Sequence, residues 1–464
     1  DPPKPSVDRA ALPPGPSELP LIGQARRLRG DLIGLLQECA TYGDVSTVSV
    51  NPLLICLVNH PELNREVLVT NHQKTIRGRT AFEVLCWLMG NSVTTANGAY
   101  HLKQRRLIQP QFHRRRIENY AEIMTDFAAH RSDNWSDGVT LDIEEEMREL
   151  TLRIIVKALF GVELPDAVRR IGEAFEQTND YMYLRLTQPP FLRGFLHSVP
   201  LPSSRRFKRA RAYLDETVFG MIKERRQSEG GGDDLLSLLL EARYEDATGE
   251  ENDRMSDEQV RDEVISLYIA GHDTTATTLT WSFYLLSKHP EIEARFHAEV
   301  DDVLGGRPAT LDDLPNLAYT EQIITEVLRL YPPFWSLGRM VYEPFELGGH
   351  EIPPGVNLIV SPLITQRDAR WFDAPAEFRP ERWTDEFRGA LPQYAYMPFG
   401  GGPHKCIGEG FAWMEAKIAL ATMGQHWRAH HDPRHSVVMQ PHISLTPKGG
   451  MPVTLERRTK SSSV

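Results

Sequence analysis

Hydrophobic and polar positions change rhythm several times along the chain. Asp44-Val45-Ser46-Thr47-Val48-Ser49-Val50 alternates with period two, Asn51-Pro52 breaks it, and Leu53 to Val58 is a short apolar run, which together predict a small hairpin. From about Pro61 to Lys288 apolar residues recur mostly at helical spacing, interrupted by Gln188-Pro189-Pro190, Pro200-Leu201-Pro202 and Gly230-Gly231-Gly232. The best-delimited helix opens on the capping box Ser256-Asp257-Glu258-Gln259 and stops before Pro290, roughly 45–50 Å at the standard rise. Its centre, Ala270-Gly271-His272-Asp273-Thr274-Thr275-Ala276-Thr277-Thr278, joins a glycine to β-branched residues of poor helix propensity, a conflict that predicts a functional kink. A second helix ends at Leu330 before Pro332-Pro333. Phe345 to Leu347 and Val356 to Val360, with turns at Gly348-Gly349 and Pro353-Pro354-Gly355, read as a small antiparallel sheet, and a last helix is expected from about Glu409 to Trp427.

The fold class is therefore mainly α with a small β region, without internal repeats. Composition narrows the function. The 464 residues carry 52 Lys+Arg against 63 Asp+Glu, a net charge of −11, which argues against a nucleic-acid binder because phosphate recognition needs a basic field over a whole face. Four cysteines are too few and too scattered for a disulfide scaffold, and Cys39, Cys56 and Cys86 read as buried small hydrophobes of a reducing, cytoplasmic protein. No run approaches the ~18 apolar residues of a membrane span. Residues 1–20 form a proline-rich lead-in, including Leu12-Pro13-Pro14-Gly15-Pro16.

Chemistry concentrates in Phe399-Gly400-Gly401-Gly402-Pro403-His404-Lys405-Cys406-Ile407-Gly408. A cysteine in a glycine-rich loop just ahead of a helix lies near free amides and the positive end of the helix dipole, which favours thiolate and makes Cys406 a soft anionic ligand. Gly402 and Gly408 let the backbone approach something flat and bulky, and Phe399 can pack beside the sulfur. A phosphate loop would need Lys-Ser/Thr after its last glycine, and a zinc site would need four ligands where His404 and Cys406 supply two. The pattern Phe399-x-x-Gly402-x-x-x-Cys406-x-Gly408 resembles the haem-binding signature of the cytochrome P-450 family, the haem-thiolate monooxygenases.

The resemblance runs from the proline lead-in through the cysteine helix. It implies one catalytic domain over residues 1–464, with a flexible tail at 456–464, folded as a triangular prism that holds haem b between the long central helix and the cysteine helix. Glu326 and Arg329, three apart and so on one helical face, can form a bidentate pair; the family adds an arginine matched by Arg382 of Phe378-Arg379-Pro380-Glu381-Arg382-Trp383, making a structural lock. In the family's oxygen-activating groove Ala270 leaves room for O2, Asp273 relays protons and Thr274 holds the distal hydrogen bond, while His272 is an ordinary helix residue. His101 and Arg105, four apart on one face, with Arg339 and His404, match haem-propionate contacts, and Phe399, Cys406 and Gly408 complete the cofactor set, Cys406 ligating the iron.

Electrons would come ultimately from NAD(P)H through a ferredoxin- or flavodoxin-type protein docked on the basic strip Arg105, Arg106, Arg114, Arg115, Arg116 and Lys405, the enzyme itself being a monomer. Phe82, Leu85, Leu184, Phe191, Phe195, Ala270, Phe334, Trp335, Leu337 and Leu445 are expected at the substrate pocket. The Glu-Leu-Gly-Gly hairpin and the Phe-Arg-Pro-Glu-Arg-Trp segment resemble the fatty-acid-hydroxylase branch more than the camphor-hydroxylase branch. The expected reaction is hydroxylation of a hydrophobic fatty acid, terpenoid or steroid. A peroxide-driven peroxygenase or hydroperoxide isomerase, and a non-enzymatic haem-bound carrier, are the alternatives.

Overall fold

The computed structural model describes residues 12–17, 24–50, 53–161, 165–186, 188, 190–228, 232–244 and 254–459. Helices make up most of it, and a five-stranded sheet flanks them on the N-terminal side. Val45–Val50 pairs antiparallel with Leu53–Val58, from Val45↔Val58 to Val50↔Leu53, as the alternation predicted. Asn51-Pro52 lies outside the described residues. Lead-in residues 12–17 lie against the outer strand: the Thr47 amide donates to the Pro14 carbonyl at 2.9 Å. A Cβ on Gly15 would fall 1.8 Å from the Thr47 carbonyl oxygen, so only glycine permits that approach.

The C-terminal strands do not form one small sheet. Asn357–Val360 runs parallel to Leu53–Val58 and antiparallel to Leu337–Val341, whereas Phe345–Leu347 pairs only with His350–Ile352 through Gly348 and Gly349, at φ +58° and +81°. The reason is burial. Leu358 and Val360 are fully enclosed against Cys56 and Val58, and a short hairpin standing alone could not cover them.

The central helix, Asp257–Lys288, has the capping box reading predicted: Ser256 Oγ accepts from the Gln259 amide at 3.2 Å and Gln259 Oε1 from the Ser256 amide at 2.8 Å. It remains α-helical through its threonine-rich centre. Thr274, Thr278 and Thr280 donate their hydroxyls to the carbonyls four residues back, at 2.7, 2.9 and 2.8 Å, so these hydroxyls are satisfied within the helix. Gly271 faces the neighbouring helix Ile143–Phe160, where a Cβ would sit 2.8 Å from Ile155 Cδ1. Polar stitches fix that seam: His272 Nε2 meets the Arg148 carbonyl at 3.0 Å, and the Thr151 hydroxyl donates to the His272 carbonyl at 3.1 Å.

The cysteine helix is shorter than expected, Glu409–Gly424, because Trp427 turns into a strand, Trp427–His431, that pairs with Pro452–Arg457. The Trp427 ring is buried and its Nε1 donates to Ser132. Glu456 and Arg457 thus belong to a ladder, and Arg458 is held by Asp301 and the Gln425 carbonyl, so the expected tail does not begin at 456. Residues 460–464 lie outside the described set. Among the described residues no helix is long and apolar enough to cross a membrane.

Candidate functional site

The site rests on a carboxylate without exposed surface. Glu326, in helix Ala318–Leu330, accepts from Arg329 Nε and Nη2 (both 2.8 Å), Arg382 Nε (3.0 Å), Trp383 Nε1 (2.8 Å) and the Arg379 amide (3.0 Å). Arg329, equally buried, spends its remaining protons on the carbonyls of Gln366, Pro375 and Glu377. The Gln366 amide group donates to the Leu328 carbonyl and accepts from the Met397 amide at 2.8 Å. Backbone from Asp373 to Met397 is thereby tied to one helix, and Met397 is two residues before Phe399. Trp383 and Gln366 carried no sequence signal of this role.

Beyond Phe399 the chain doubles back, the Cys406 amide donating to the Phe399 carbonyl at 3.0 Å. Gly402, at φ +66°, lies so close to the preceding domain wall that a Cβ would be 2.0 Å from the Leu68 carbonyl oxygen. The Gly408 amide donates to the Cys406 sulfur, which favours thiolate, but burial is the larger effect and pushes the thiol up to about 11. Cys406 nevertheless keeps exposed surface. Cys39 and Cys56 are buried as expected, whereas Cys86 is exposed on helix Arg79–Met89.

Beside the loop, basic groups crowd together. His101, buried in helix Gly98–Ile108, lies with its ring centroid 3.9 Å from that of His404. Arg339 is buried in strand Leu337–Val341, and Arg105 donates to the Lys405 carbonyl at 2.6 Å. Arg77, which sequence reasoning missed, completes the group; it donates to the carbonyls of Val93 (2.8 Å) and Thr94. Burial, with mutual repulsion, lowers Arg77 to about 9 and His101 to about 4; burial alone lowers Arg339 to about 10, and His404 is also driven well down. His101 Nε2 and His404 Nδ1 are buried without a hydrogen-bond partner. No ion pair between described residues engages Arg77, Arg105 or Arg339. Such a cluster is costly unless acidic groups enter it. Two carboxylates of a flat cofactor above the cysteine would relieve it, so the residues fit haem.

On the central helix, Ala270 is exposed and Thr274 half-buried although most of the helix is enclosed. Asp273, one residue round, is buried and meets Arg148 Nη2 at 3.1 Å; Arg148 Nε also donates to Glu144 at 3.2 Å. Burial, only partly offset by Arg148, pushes Glu144 up to about 7. Glu415 of the cysteine helix is fully enclosed beside Thr275, and burial pushes it up to about 8.

The expected pocket residues divide. Phe82, Leu85, Leu337 and Phe399 are half-buried, and Phe334 and Leu184 are exposed. Trp335 instead joins a separate cluster with Leu35, Leu36 and Cys39, its Nε1 donating to the His442 carbonyl, because that apolar patch behind the sheet needs a cover. Leu445 has no exposed side chain, and its carbonyl accepts from Trp281 Nε1 at 2.8 Å. Phe195 points outward, 67% exposed. The side chains of Phe191 and Arg114 lie outside the described set. The basic strip is also narrower than expected: Arg105 turns inward and Lys405 pairs with Glu409 at 2.6 Å, leaving Arg106, Arg115 and Arg116 exposed.

Residues 13–453 match the family model described as Cytochrome P450. Cyclooctatin synthase of Streptomyces melanosporofaciens is 38% identical over 433 residues, 93% of each chain. Cyclooctat-9-en-7-ol 5-monooxygenase of the same organism is 36% identical, covering 90% of this chain and 89% of its own, and pentalenene oxygenase of Streptomyces avermitilis is 35% identical, covering 90% and 91%. A crystal structure of the cytochrome P450DA heme domain superposes with a TM-score of 0.86 at 26% identity, covering 97% of this chain and 98% of that one.

Two stability measurements follow from these contacts. Glu326→Gln leaves two buried guanidiniums short of a counter-charge and is expected to cost about 3–5 kcal/mol, read as a lowered urea midpoint; a shift of under 1 kcal/mol would contradict the central place of this carboxylate. Glu415 has its proton in the folded state up to about pH 8, against an ordinary 4.5. Its contribution is fully present below 4.5 and is lost as pH rises towards 8, so Glu415→Gln is expected to gain roughly 2–4 kcal/mol over the parent at pH 8.5 and little at pH 4. Parallel urea-midpoint curves across that range would rule this out.

Proposed function

The chain belongs to the cytochrome P450 family, and on that premise we propose that it hydroxylates a C–H bond of a cyclic terpenoid with electrons from a separate donor protein. That it is a haem-iron monooxygenase using O2 follows from the family and from relatives named as oxygenases. The terpenoid reading is carried by the 35–38% identity, over nine-tenths of the chain, to enzymes named for cyclooctatin, cyclooctat-9-en-7-ol and pentalenene. It takes the terpenoid option from the broader choice among fatty acids, terpenoids and steroids.

Haem, held through Cys406, supplies the activation of O2 and the electron push of a thiolate ligand. Arg77, His101, Arg105, Arg339 and His404 would hold the propionates, and the Gly408 amide orients the sulfur. Ala270, without a side chain beyond Cβ, leaves space over the distal face. Thr274 gives its own proton to the Ala270 carbonyl at 2.7 Å, so its hydroxyl oxygen faces the cleft as an acceptor. Asp273 takes protons from the Arg148–Glu144 side, which reaches partial solvent exposure, and passes them inward past Thr274. Exposed Arg106, Arg115 and Arg116 supply the donor-docking face, whose steering weakens with salt.

The substrate reading is tested by titrating ferric protein with cyclic terpene hydrocarbons and their mono-alcohols, and with straight-chain fatty acids, while following the Soret shift and then turnover with NAD(P)H and a reconstituted donor. Shifts and oxygenated products from the cyclic compounds support it; shifts with fatty acids alone overturn it. Thr274→Ala is expected to keep the carbon monoxide spectrum yet divert severalfold more electrons to hydrogen peroxide. Unchanged coupling of electron use to product would remove Thr274 from the proton route.

A further inference from the structure

Among the buried polar atoms without a hydrogen-bond partner, those of His101 and His404 are accounted for by the cofactor's carboxylates. Two others stand together on the far side of the molecule's cofactor cluster. The strands Met439–Pro441 and Leu445–Pro447 pair antiparallel, and His442-Ile443-Ser444 form the tip of that hairpin. Ser444 is 2% exposed and its Oγ has no partner; His442 Nε2 is likewise buried and unpartnered. The tip is not free to turn these atoms elsewhere. Its backbone is held on three sides: the Leu445 amide donates to the Pro333 carbonyl at 3.0 Å, the Leu445 carbonyl accepts from Trp281 Nε1 of the central helix at 2.8 Å, and the His442 carbonyl accepts from Trp335 Nε1 at 2.9 Å.

The neighbours of the tip are those expected around the substrate. Pro333 adjoins the exposed Phe334, and the His442 ring lies against Tyr183 of helix Pro165–Leu186, centroids 3.8 Å apart, beside the exposed Leu184. The charged groups acting on the imidazole are Asp180 of that helix, Asp273 of the central helix and Arg148. Burial is the largest effect on His442 and holds it below the ordinary histidine range, so at neutral pH the ring is uncharged and Nε2 either donates or accepts. The other side chains expected at the pocket, Phe82, Leu85, Leu184, Phe334 and Leu337, are apolar. A pure hydrocarbon would complement those and leave both atoms of the tip unmet.

We propose that His442 and Ser444 bind a hydroxyl already present on the substrate, remote from the C–H bond that is oxidised, so that the enzyme acts on a cyclic terpenoid mono-alcohol and not on the parent hydrocarbon. A hydroxyl suits the pair because it donates to one partner while accepting from the other. The proposal rests on the terpenoid reading and narrows it. One atom of O2 enters a second C–H bond, the other leaves as water with two electrons from the donor protein and two protons, and the product is a diol. The preceding step is then a hydroxylation of the cyclic hydrocarbon, or capture of water by the carbocation that ends cyclisation. Discrimination by such a pair is steep, since the analogue lacking the hydroxyl leaves buried polar atoms unpaired.

The test titrates ferric, haem-loaded protein with matched pairs, each a cyclic sesquiterpene or diterpene hydrocarbon and a mono-alcohol of the same skeleton, and reads dissociation constants from the Soret shift. His442→Phe, which keeps a ring against Tyr183, and Ser444→Ala are compared with the parent after each is checked for an unchanged carbon monoxide spectrum. The expected result is that the parent binds its best alcohol at least tenfold more tightly than the matching hydrocarbon, and that each variant brings this ratio below threefold. Hydrocarbons bound as tightly as their alcohols overturn the proposal while leaving the terpenoid reading in place, and so does a preference for alcohols that both variants keep. Binding of straight-chain fatty acids in place of every cyclic compound overturns the terpenoid reading and the proposal with it.

Discussion

A carboxylate with no accessible surface must be neutralised and hydrogen-bonded where it stands, and at Glu326 that requirement organises the C-terminal half of the molecule. Its partners come from Arg329 on its own helix and from Arg379, Arg382 and Trp383 more than fifty residues later. The intervening chain, including Asp373, Pro375 and Glu377, contributes carbonyls to the two guanidiniums. An ion pair of this burial adds little net stability compared with apolar residues of the same shape. What it supplies is uniqueness of arrangement, because no other register satisfies every donor. The cysteine loop inherits its position from that arrangement through Gln366 and Met397.

The cofactor side of the cleft is the electrostatic counterpart. Arg77, Arg339 and Arg105 lie together beside two histidines that burial and these cations keep neutral, and burial also disfavours the charged form of Cys406. Each of these groups is strained electrically in the protein alone and would be relieved by haem: the cations by its carboxylates, the sulfur by a metal cation that deprotonates a coordinating thiol outright. The fold thus stores an unfavourable charge distribution that one kind of ligand corrects, which is a physical basis for selecting that ligand.

On the opposite wall the polar groups are few and differently placed. Threonines of the central helix bond to its own carbonyls, Ala270 is exposed and Thr274 half-buried, and Asp273 is drawn sideways to Arg148 in the next helix. Separating the acid from the cleft keeps a charge out of an apolar substrate space while leaving a proton source one residue away. The segment around Pro190–Ser198 is fixed from within by arginine-to-carbonyl contacts.

Local sequence determined the elements whose signals lie within a few residues: the hairpin at Val45–Val58, the capping box at Ser256, the helix stop before Pro332, and the Glu326–Arg329 and His101–Arg105 spacings. A signature as compact as Phe399 to Gly408 also named the family, because its glycines and cysteine meet one set of steric and electronic demands. What local sequence could not determine were outcomes of long-range competition. Whether Val356–Val360 joined its neighbouring strand or the distant Leu53–Val58, whether Trp335 faced the cleft or the patch behind the sheet, and that Arg77 completes the cluster with Arg339 were decided by which apolar surface remained to be covered and which charges burial brought together. Even the state of Cys406 belongs to this second class: its position ahead of a helix favours thiolate, but desolvation by the assembled protein is the larger effect, and only the tertiary structure sets that balance.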